Sequence, residues 1–310
     1  MKLYFAPLEG ITTRTYRTAH AEMFDGCDAY YAPFITPTDN EKLSLKTIRD
    51  IVPELNEGTN LKVQVLTNTS SSFEKFIDKI SPLGYNEVNI NLGCPSNTVC
   101  KKGRGSAFLK NPDELDRFLN DIFSCTDFKI SLKTRLGFSS PEEFPRLLSV
   151  YKKYPLSLLI VHPRTREQLY RGQPDMESFS RAYAELEERL CYNGNINTLS
   201  EYSAVNRLYP KLHSVMIGRG AIANPAIFRE IKGGKPLSTE ELLCFTDKLI
   251  DKYIALFGND VYTLHKLKEI WLYAITNYPE EKKIAKSLRK STKLSEFRTL
   301  LGLLPELKQK

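Results

Sequence analysis

Apolar residues in the first 220 positions fall into eight short runs, separated by longer stretches in which apolar and polar residues alternate at helical spacing. The runs cover residues 2–8, 29–33, 62–67, 87–92, 129–135, 157–162, 189–193 and 213–218. Several are close to continuous, as in Leu156-Ser157-Leu158-Leu159-Ile160-Val161. Such runs suit strands buried on both faces of a parallel sheet. Between them lie recognisable helix starts. Ser70-Ser71-Ser72-Phe73-Glu74 offers a serine cap with a glutamate behind it. Asn111-Pro112-Asp113-Glu114 places a cap, a proline at the first helical position and acids in the first turn, and Ser140-Pro141-Glu142-Glu143 repeats the logic.

Eight strands alternating with helices predict an α/β fold, a (β/α)8 TIM barrel. The competing architecture is a doubly wound open sheet. No Gly-x-Gly-x-x-Gly turn follows the first strand, and the tally of eight favours the barrel. Beyond Thr239 the pattern changes. Residues 239–257, 260–277, 279–290 and 294–302 carry Leu, Ile, Lys and Glu at helical spacing with no strand signal. Gly233-Gly234-Lys235-Pro236 and Gly258-Asn259 punctuate them. The expected organisation is a barrel over 1–235 and a C-terminal all-helical domain over 236–310.

Composition narrows the function classes. With 41% hydrophobic and 26% charged residues the chain is globular. No run of about 18 apolar residues spans a membrane, and the opening run stops at Pro7, too early for an export signal. A cytoplasmic protein is expected. The six cysteines form no Cys-x-x-Cys pair, so neither a disulfide framework nor a zinc site is expected, and each reads as a buried thiol. The net charge of +7 is unevenly spread: residues 231–310 hold 15 Lys/Arg against 10 Asp/Glu, leaving 29 against 27 in the first 230. A basic segment of this kind suits a polyanionic partner.

In a barrel of this class the chemistry sits at the C-terminal ends of the strands. Polar or small residues cluster at seven of those positions. They are Pro7-Leu8-Glu9, Gln64, Asn91 through Cys94, Lys133, His162, Asn193-Gly194-Asn195 and Gly218-Arg219. Loops after strands 7 and 8 commonly hold phosphate. Gly194, Gly218 and Gly220, a helix opening near Ala221 and Arg219 fit that task. Lys133, on a strand buried from both sides, needs an anionic partner or a depressed pKa. Cys94 precedes a polar, basic, glycine-rich stretch that reads as a mobile loop over the barrel mouth. A thiol beneath such a loop is placed to exchange a proton with substrate.

Taken together, the ordered motifs resemble those of the tRNA-dihydrouridine synthases. They are Ala-Pro-x-x-Gly at Ala6, Gln64, Asn-x-Gly-Cys-Pro at Asn91, Lys-x-Arg-x-Gly at Lys133, His-x-Arg-Thr at His162, Asn-Gly at Asn193 and Gly-Arg-Gly at Gly218. The resemblance implies FMN as cofactor, NADPH as reductant, and reduction of a uracil C5=C6 bond in tRNA. It implies that Pro7, Leu8, Glu9, Gln64, Lys133, His162, Asn193, Gly194, Asn195, Gly218 and Arg219 bind the flavin. Cys94 becomes the general acid and Asn91 helps orient the base. Many relatives have Asp at the position of Asn195 and Met at that of Leu8.

The C-terminal domain then acquires a role. Lys282, Lys286, Arg289 or Lys290, and Lys293 are spaced to form a stripe for tRNA phosphates, which Lys101, Lys102 and Arg104 extend. A monomer suits so large a ligand. No metal is expected. The alternative activity is reduction of a free pyrimidine by an FMN barrel akin to dihydroorotate dehydrogenase, and a third reading is a non-catalytic RNA-binding barrel.

Overall fold

The computed structural model describes residues 1–38, 40 and 42–307. The last three residues of the expected helical domain, 308–310, lie outside that range. Among the described residues, nine parallel strands form one sheet: β1 Lys2–Phe5, β2 Ala29–Tyr31, β3 Leu61–Lys62, β4 Gln64–Val65, β5 Glu87–Leu92, β6 Lys129–Arg135, β7 Leu158–His162, β8 Leu190–Tyr192 and β9 Ser214–Ile217. Their lateral order is β3-β2-β1-β9-β8-β7-β6-β5-β4. The two ends of that order, β3 and β4, are consecutive in the chain and separated only by Val63. β3 pairs with β2 and β4 with β5, so one interrupted strand joins the sheet's two edges into a barrel of eight. A parallel bridge between Ile35 and Val65 reinforces the seam.

Strand boundaries follow from local chemistry. The run expected over 2–8 leaves the ladder after the Ala6 N–H bonds the Ile217 carbonyl at 2.8 Å, because Pro7 has no N–H to offer. A helix follows each of the eight strands, from Arg14–Met23 behind β1 to Arg219–Ala223 behind β9. Ser140 makes a full capping box with Glu143. Asn111 precedes Pro112 as expected, without a capping bond from its side chain. The serine cap expected near Ser70 is displaced: the helix Ser70–Ile80 starts from Thr69, which makes no side-chain cap.

Inside the barrel, Tyr4, Ala6, Tyr31, Ile160, Cys191 and Met216 pack on one another. The larger core lies between strands and helices. His20 belongs to it. The imidazole is completely buried, its Nε2 2.8 Å from the Pro225 carbonyl and its Nδ1 2.7 Å from the Tyr30 hydroxyl. Nε2 must carry the proton, since a carbonyl only accepts, and Nδ1 then accepts from Tyr30. Burial pushes His20 down to about 4. The unfolded chain titrates nearer 6.5 and takes up a proton first, so stability falls as pH drops from 6.5 towards 4. His20→Gln should remove about 2–3 kcal/mol of the stability lost between pH 7 and pH 4.5, as measured by chemical denaturation at both values.

The C-terminal part is all-helical, with helices at Thr239–Phe257, Asp260–Ala274, Lys282–Lys290 and Leu294–Leu301. The third starts at Lys282 rather than 279, because Tyr278 through Glu280 form a turn whose carbonyls accept from Glu281 and Lys282. The first packs on the Arg14–Met23 helix, with Phe245 set edge-on against Tyr16. The second packs on Arg219–Ala223, and Lys266 Nζ donates to the Gly10 carbonyl at 3.1 Å. The helical domain thus sits against the mouth of the barrel. No helix among the described residues is long and apolar enough to cross a membrane.

The cysteines depart from expectation. Only Cys191 is buried; Cys125 and Cys244 are exposed, and all six are free. Cys125 ends its helix at the surface, and Cys244 lies off the buried stripe of Leu242, Phe245 and Leu249.

Candidate active site at the barrel mouth

A cavity of about 310 Å³ opens at the C-terminal ends of the strands. Its walls include Pro7, Leu8, Glu9, Gln64, Asn91, Cys94, Lys133, His162, Asn193, Gly194, Asn195, Gly218 and Arg219. Barrel topology gathers these residues although they span more than 200 positions of sequence. Lys101, Arg104, Lys282, Lys286, Arg289 and Lys290 stand outside the cavity. Gly220 is also outside: a Cβ there would meet the Ile196 carbonyl at 2.0 Å, so this glycine serves loop packing rather than an anion. Gly218 does face the cavity, where a Cβ would crowd Ala6 at 3.3 Å.

The basic side of the cavity is tightly organised. Arg164 is fully buried, and its guanidinium bonds the Arg171 and Gly172 carbonyls, Asn195 Oδ1 and His162 Nε2. An arginine only donates, so His162 Nε2 is unprotonated and Nδ1 carries the hydrogen. Burial, and then Arg135, Lys133, Arg164 and Arg219, hold the imidazole far below its usual value, so it stays neutral. Asn195 Oδ1 accepts from both Arg164 and Arg219 at 3.3 Å, which turns its N–H groups away from the arginines. Lys133 Nζ makes no hydrogen bond or ion pair among the described residues, and burial, with Arg135 adding to it, pushes it down to about 8. Among the described residues, Glu9 is the only carboxylate on the cavity wall.

The Cys94 thiol is held differently. Burial raises it, with smaller contributions from Cys100 and Glu9, so it is protonated at neutral pH. Its backbone is pinned on two sides. Asn91 Oδ1 accepts from the Gly93 and Cys94 N–H groups at 3.0 and 2.9 Å. The Cys94 carbonyl accepts from the Ser106 N–H and hydroxyl at 3.1 and 2.8 Å. The stretch expected as a mobile loop is therefore tied down. It contains the turn of helix Asn97–Cys100 and the 3-10 segment Gly105–Lys110, and Cys100 Sγ also reaches the Cys94 carbonyl.

Sequence reasoning missed several members. Arg135 bonds the Gly93, Thr165 and Leu169 carbonyls and so ties the Cys94 turn to the loop after β7. Tyr170, on that loop, lies 4.2 Å beneath the Arg219 guanidinium. Tyr273 reaches the cavity from the helical domain. Arg135 and Arg164 stand in the quoted Lys-x-Arg and His-x-Arg motifs, which was the available signal. No cluster among the described residues has the makings of a metal site.

A lysine without a partner among the described residues, neutral N–H donors and a protonated thiol meet around one cavity at the mouth of a (β/α)8 barrel, an arrangement suited to an oxidoreductase. The family model described as dihydrouridine synthase (Dus) matches residues 4–302, and the chain belongs to that family. It is 27% identical over 305 residues to the tRNA-dihydrouridine(16) synthase of Escherichia coli O157:H7, covering 93% of each chain. It is 28% identical over 251 residues to tRNA-dihydrouridine synthase B of Proteus vulgaris, covering 78% of this chain and 73% of that one. Among solved structures, the old yellow enzyme from Trypanosoma cruzi shares the fold, with a TM-score of 0.53 at 13% identity over 76% of this chain and 89% of that one.

A flavin with a phosphate tail fits the residues present. Among the described residues, the cavity has three cationic side chains, Lys133, Arg135 and Arg219, against one carboxylate, and Lys133 is without a partner. His162, Asn195 and Arg219 can each turn an N–H towards a dianion, which is the donor set a phosphate needs.

Proposed function

We propose that this protein reduces a uridine of tRNA to 5,6-dihydrouridine, with FMN as bound cofactor and NADPH as reductant. When bound, the reduced flavin supplies hydride to uracil C6. Cys94 delivers the proton to C5 and is reprotonated from solvent. Such a donor has to be uncharged at working pH, and the raised Cys94 thiol meets that need. Its opening into the same cavity as an unpaired lysine and a cluster of N–H donors is the observation that carries the reading.

In this reading Pro7, Leu8 and Glu9 line the ring, and Gln64 and Lys133 meet its pyrimidine edge. His162, Asn193, Gly194, Asn195, Gly218 and Arg219 hold the tail. Residues 236–310 form a tRNA-binding domain, with Lys101 and Arg104 continuing its basic track, and the protein acts as a monomer. Relatives named for position 16 match 93–98% of this chain, so we propose position 16 as the target.

The test is to map dihydrouridine in tRNA from a strain lacking this gene, with and without its restoration. Loss and return of the base at position 16 supports the assignment. Rapid NADPH-dependent turnover of free uracil or orotate without RNA supports the free-pyrimidine reading instead. The flavin-binding roles have their own check. Lys133→Ala and Arg219→Ala should each weaken flavin retention by about tenfold or more, because each removes a charge-assisted contact. The ratio of flavin to protein absorbance after gel filtration measures it, and fully yellow protein from both variants would refute the assignment.

A further inference from the structure

Asn89 precedes Asn91 by two positions on β5 and does not line the cavity, yet a line of hydrogen bonds connects it to Cys94. The Gly93 and Cys94 N–H groups donate to Asn91 Oδ1, and Asn91 Nδ2 donates to Gln64 Oε1 at 2.8 Å. Gln64 Nε2 donates to Asn89 Oδ1 at 2.7 Å, and Asn89 Nδ2 donates to Ser131 Oγ at 2.9 Å. The Ser131 hydroxyl ends the line on the Val88 carbonyl at 3.4 Å. Relative exposure is 8% for Asn91, 0% for Gln64, and 1% each for Asn89 and Ser131.

The direction of this line is forced. A backbone N–H only donates, so Asn91 must present its oxygen to Gly93 and Cys94. Its amide nitrogen then faces Gln64, which must answer with oxygen, and the same logic orients Asn89. Each amide points the same way, and aligned bonds in a low-dielectric interior strengthen one another. Flipping one member would set like atoms face to face in a buried place, where an unmet polar group is costly. The remaining N–H groups of Gln64 and Asn91 are therefore donors on side chains that line the cavity, suited to carbonyl oxygens on a ring edge.

We propose that Asn89, backed by Ser131, is a positioning residue. By accepting from Gln64 it holds Gln64, and through it Asn91, in the orientation that the Gly93 and Cys94 N–H groups require, and so aims the Cys94 thiol. The proposal rests on Cys94 as the acid; the hydrogen-bonded line does not.

Asn89→Asp keeps an acceptor towards Gln64 and can take the Ser131 hydroxyl hydrogen, whereas Asn89→Leu removes the acceptor. In the full-length flavin-loaded protein, flavin reduction by NADPH and its reoxidation by tRNA are timed separately by stopped flow. Asn89→Leu should slow reoxidation by about ten- to a hundredfold, the scale of a small misplacement at a reacting group, and slow flavin reduction far less, with tRNA affinity unchanged. Asn89→Asp should restore most of the rate. Iodoacetamide labelling of Cys94, followed by peptide mass, should shift in Asn89→Leu and return in Asn89→Asp, whatever the uridine chemistry. If Asn89→Leu does not fold, Ser131→Ala reads the same two quantities with smaller effects. Unchanged reoxidation and labelling, or both half-reactions falling together with thermal stability, would overturn the proposal. Normal product yield from Cys94→Ala would instead overturn the acid role on which it rests.

Discussion

Cys94→Ala should lower uridine reduction by about 10²- to 10⁴-fold while leaving flavin uptake and NADPH oxidation intact, the range a positioned general acid contributes. Adding hydride at C6 builds enolate charge on the ring, and the step completes only when C5 is protonated. Cys94 is the cavity thiol, and burial keeps it in the acid form. The substitution removes the sulfur but leaves the turn in place, because Asn91 and Ser106 grip the Cys94 backbone rather than its side chain. Dihydrouridine is counted by mass spectrometry of digested tRNA, alongside NADPH consumption with and without RNA. A normal yield of modified base removes the acid role; loss of flavin together with yield means the cavity itself has been damaged.

Much of this site was legible because a barrel makes strand ends converge. Once Gln64, Asn91, Lys133, His162, Asn193 and Arg219 are placed on or just after successive barrel strands, one cavity follows from topology. Local signals also sufficed for the helix Thr239–Phe257, whose apolar spacing, serine cap and Gly258 stop are all in the sequence. What stayed hidden depends on distant partners. The break at Val63 is set by the seam between β2 and β5 and leaves no local mark. Arg164 stands in the sequence only as part of the His-x-Arg-Thr motif, and its complete burial arises from carbonyls seven and eight positions away together with Asn195. Asn89 reads as one polar residue within a strand; its meaning lies in Gln64 and Ser131, 25 and 42 positions away. Ser106, twelve residues beyond Cys94, likewise turned an expected mobile loop into a fastened one.

Reversing two charges on the Lys282–Lys290 helix, Lys286→Glu with Arg289→Glu, should weaken tRNA binding by roughly tenfold to a hundredfold and lower its salt slope by about 1.5–2. Lys282, Lys286, Arg289 and Lys290 are all exposed, and none has an ion-pair partner among the described residues. Elsewhere on the surface, lysines and arginines do pair, as Lys248 and Lys252 do with Glu22. A helix that turns Leu288 inward and leaves its cations unpaired is suited to displacing counterions from phosphates. The helix packs beside Leu294–Leu301 and away from the flavin-binding residues, so flavin content and NADPH oxidation should not change. Fluorescence anisotropy with labelled tRNA across a range of KCl concentrations gives both affinity and slope. Parallel slopes for the two proteins would deny this helix a part in binding and shift attention to Lys101 and Arg104 beside the cavity. A lower slope with unaltered flavin chemistry would assign the C-terminal basic excess to the RNA backbone.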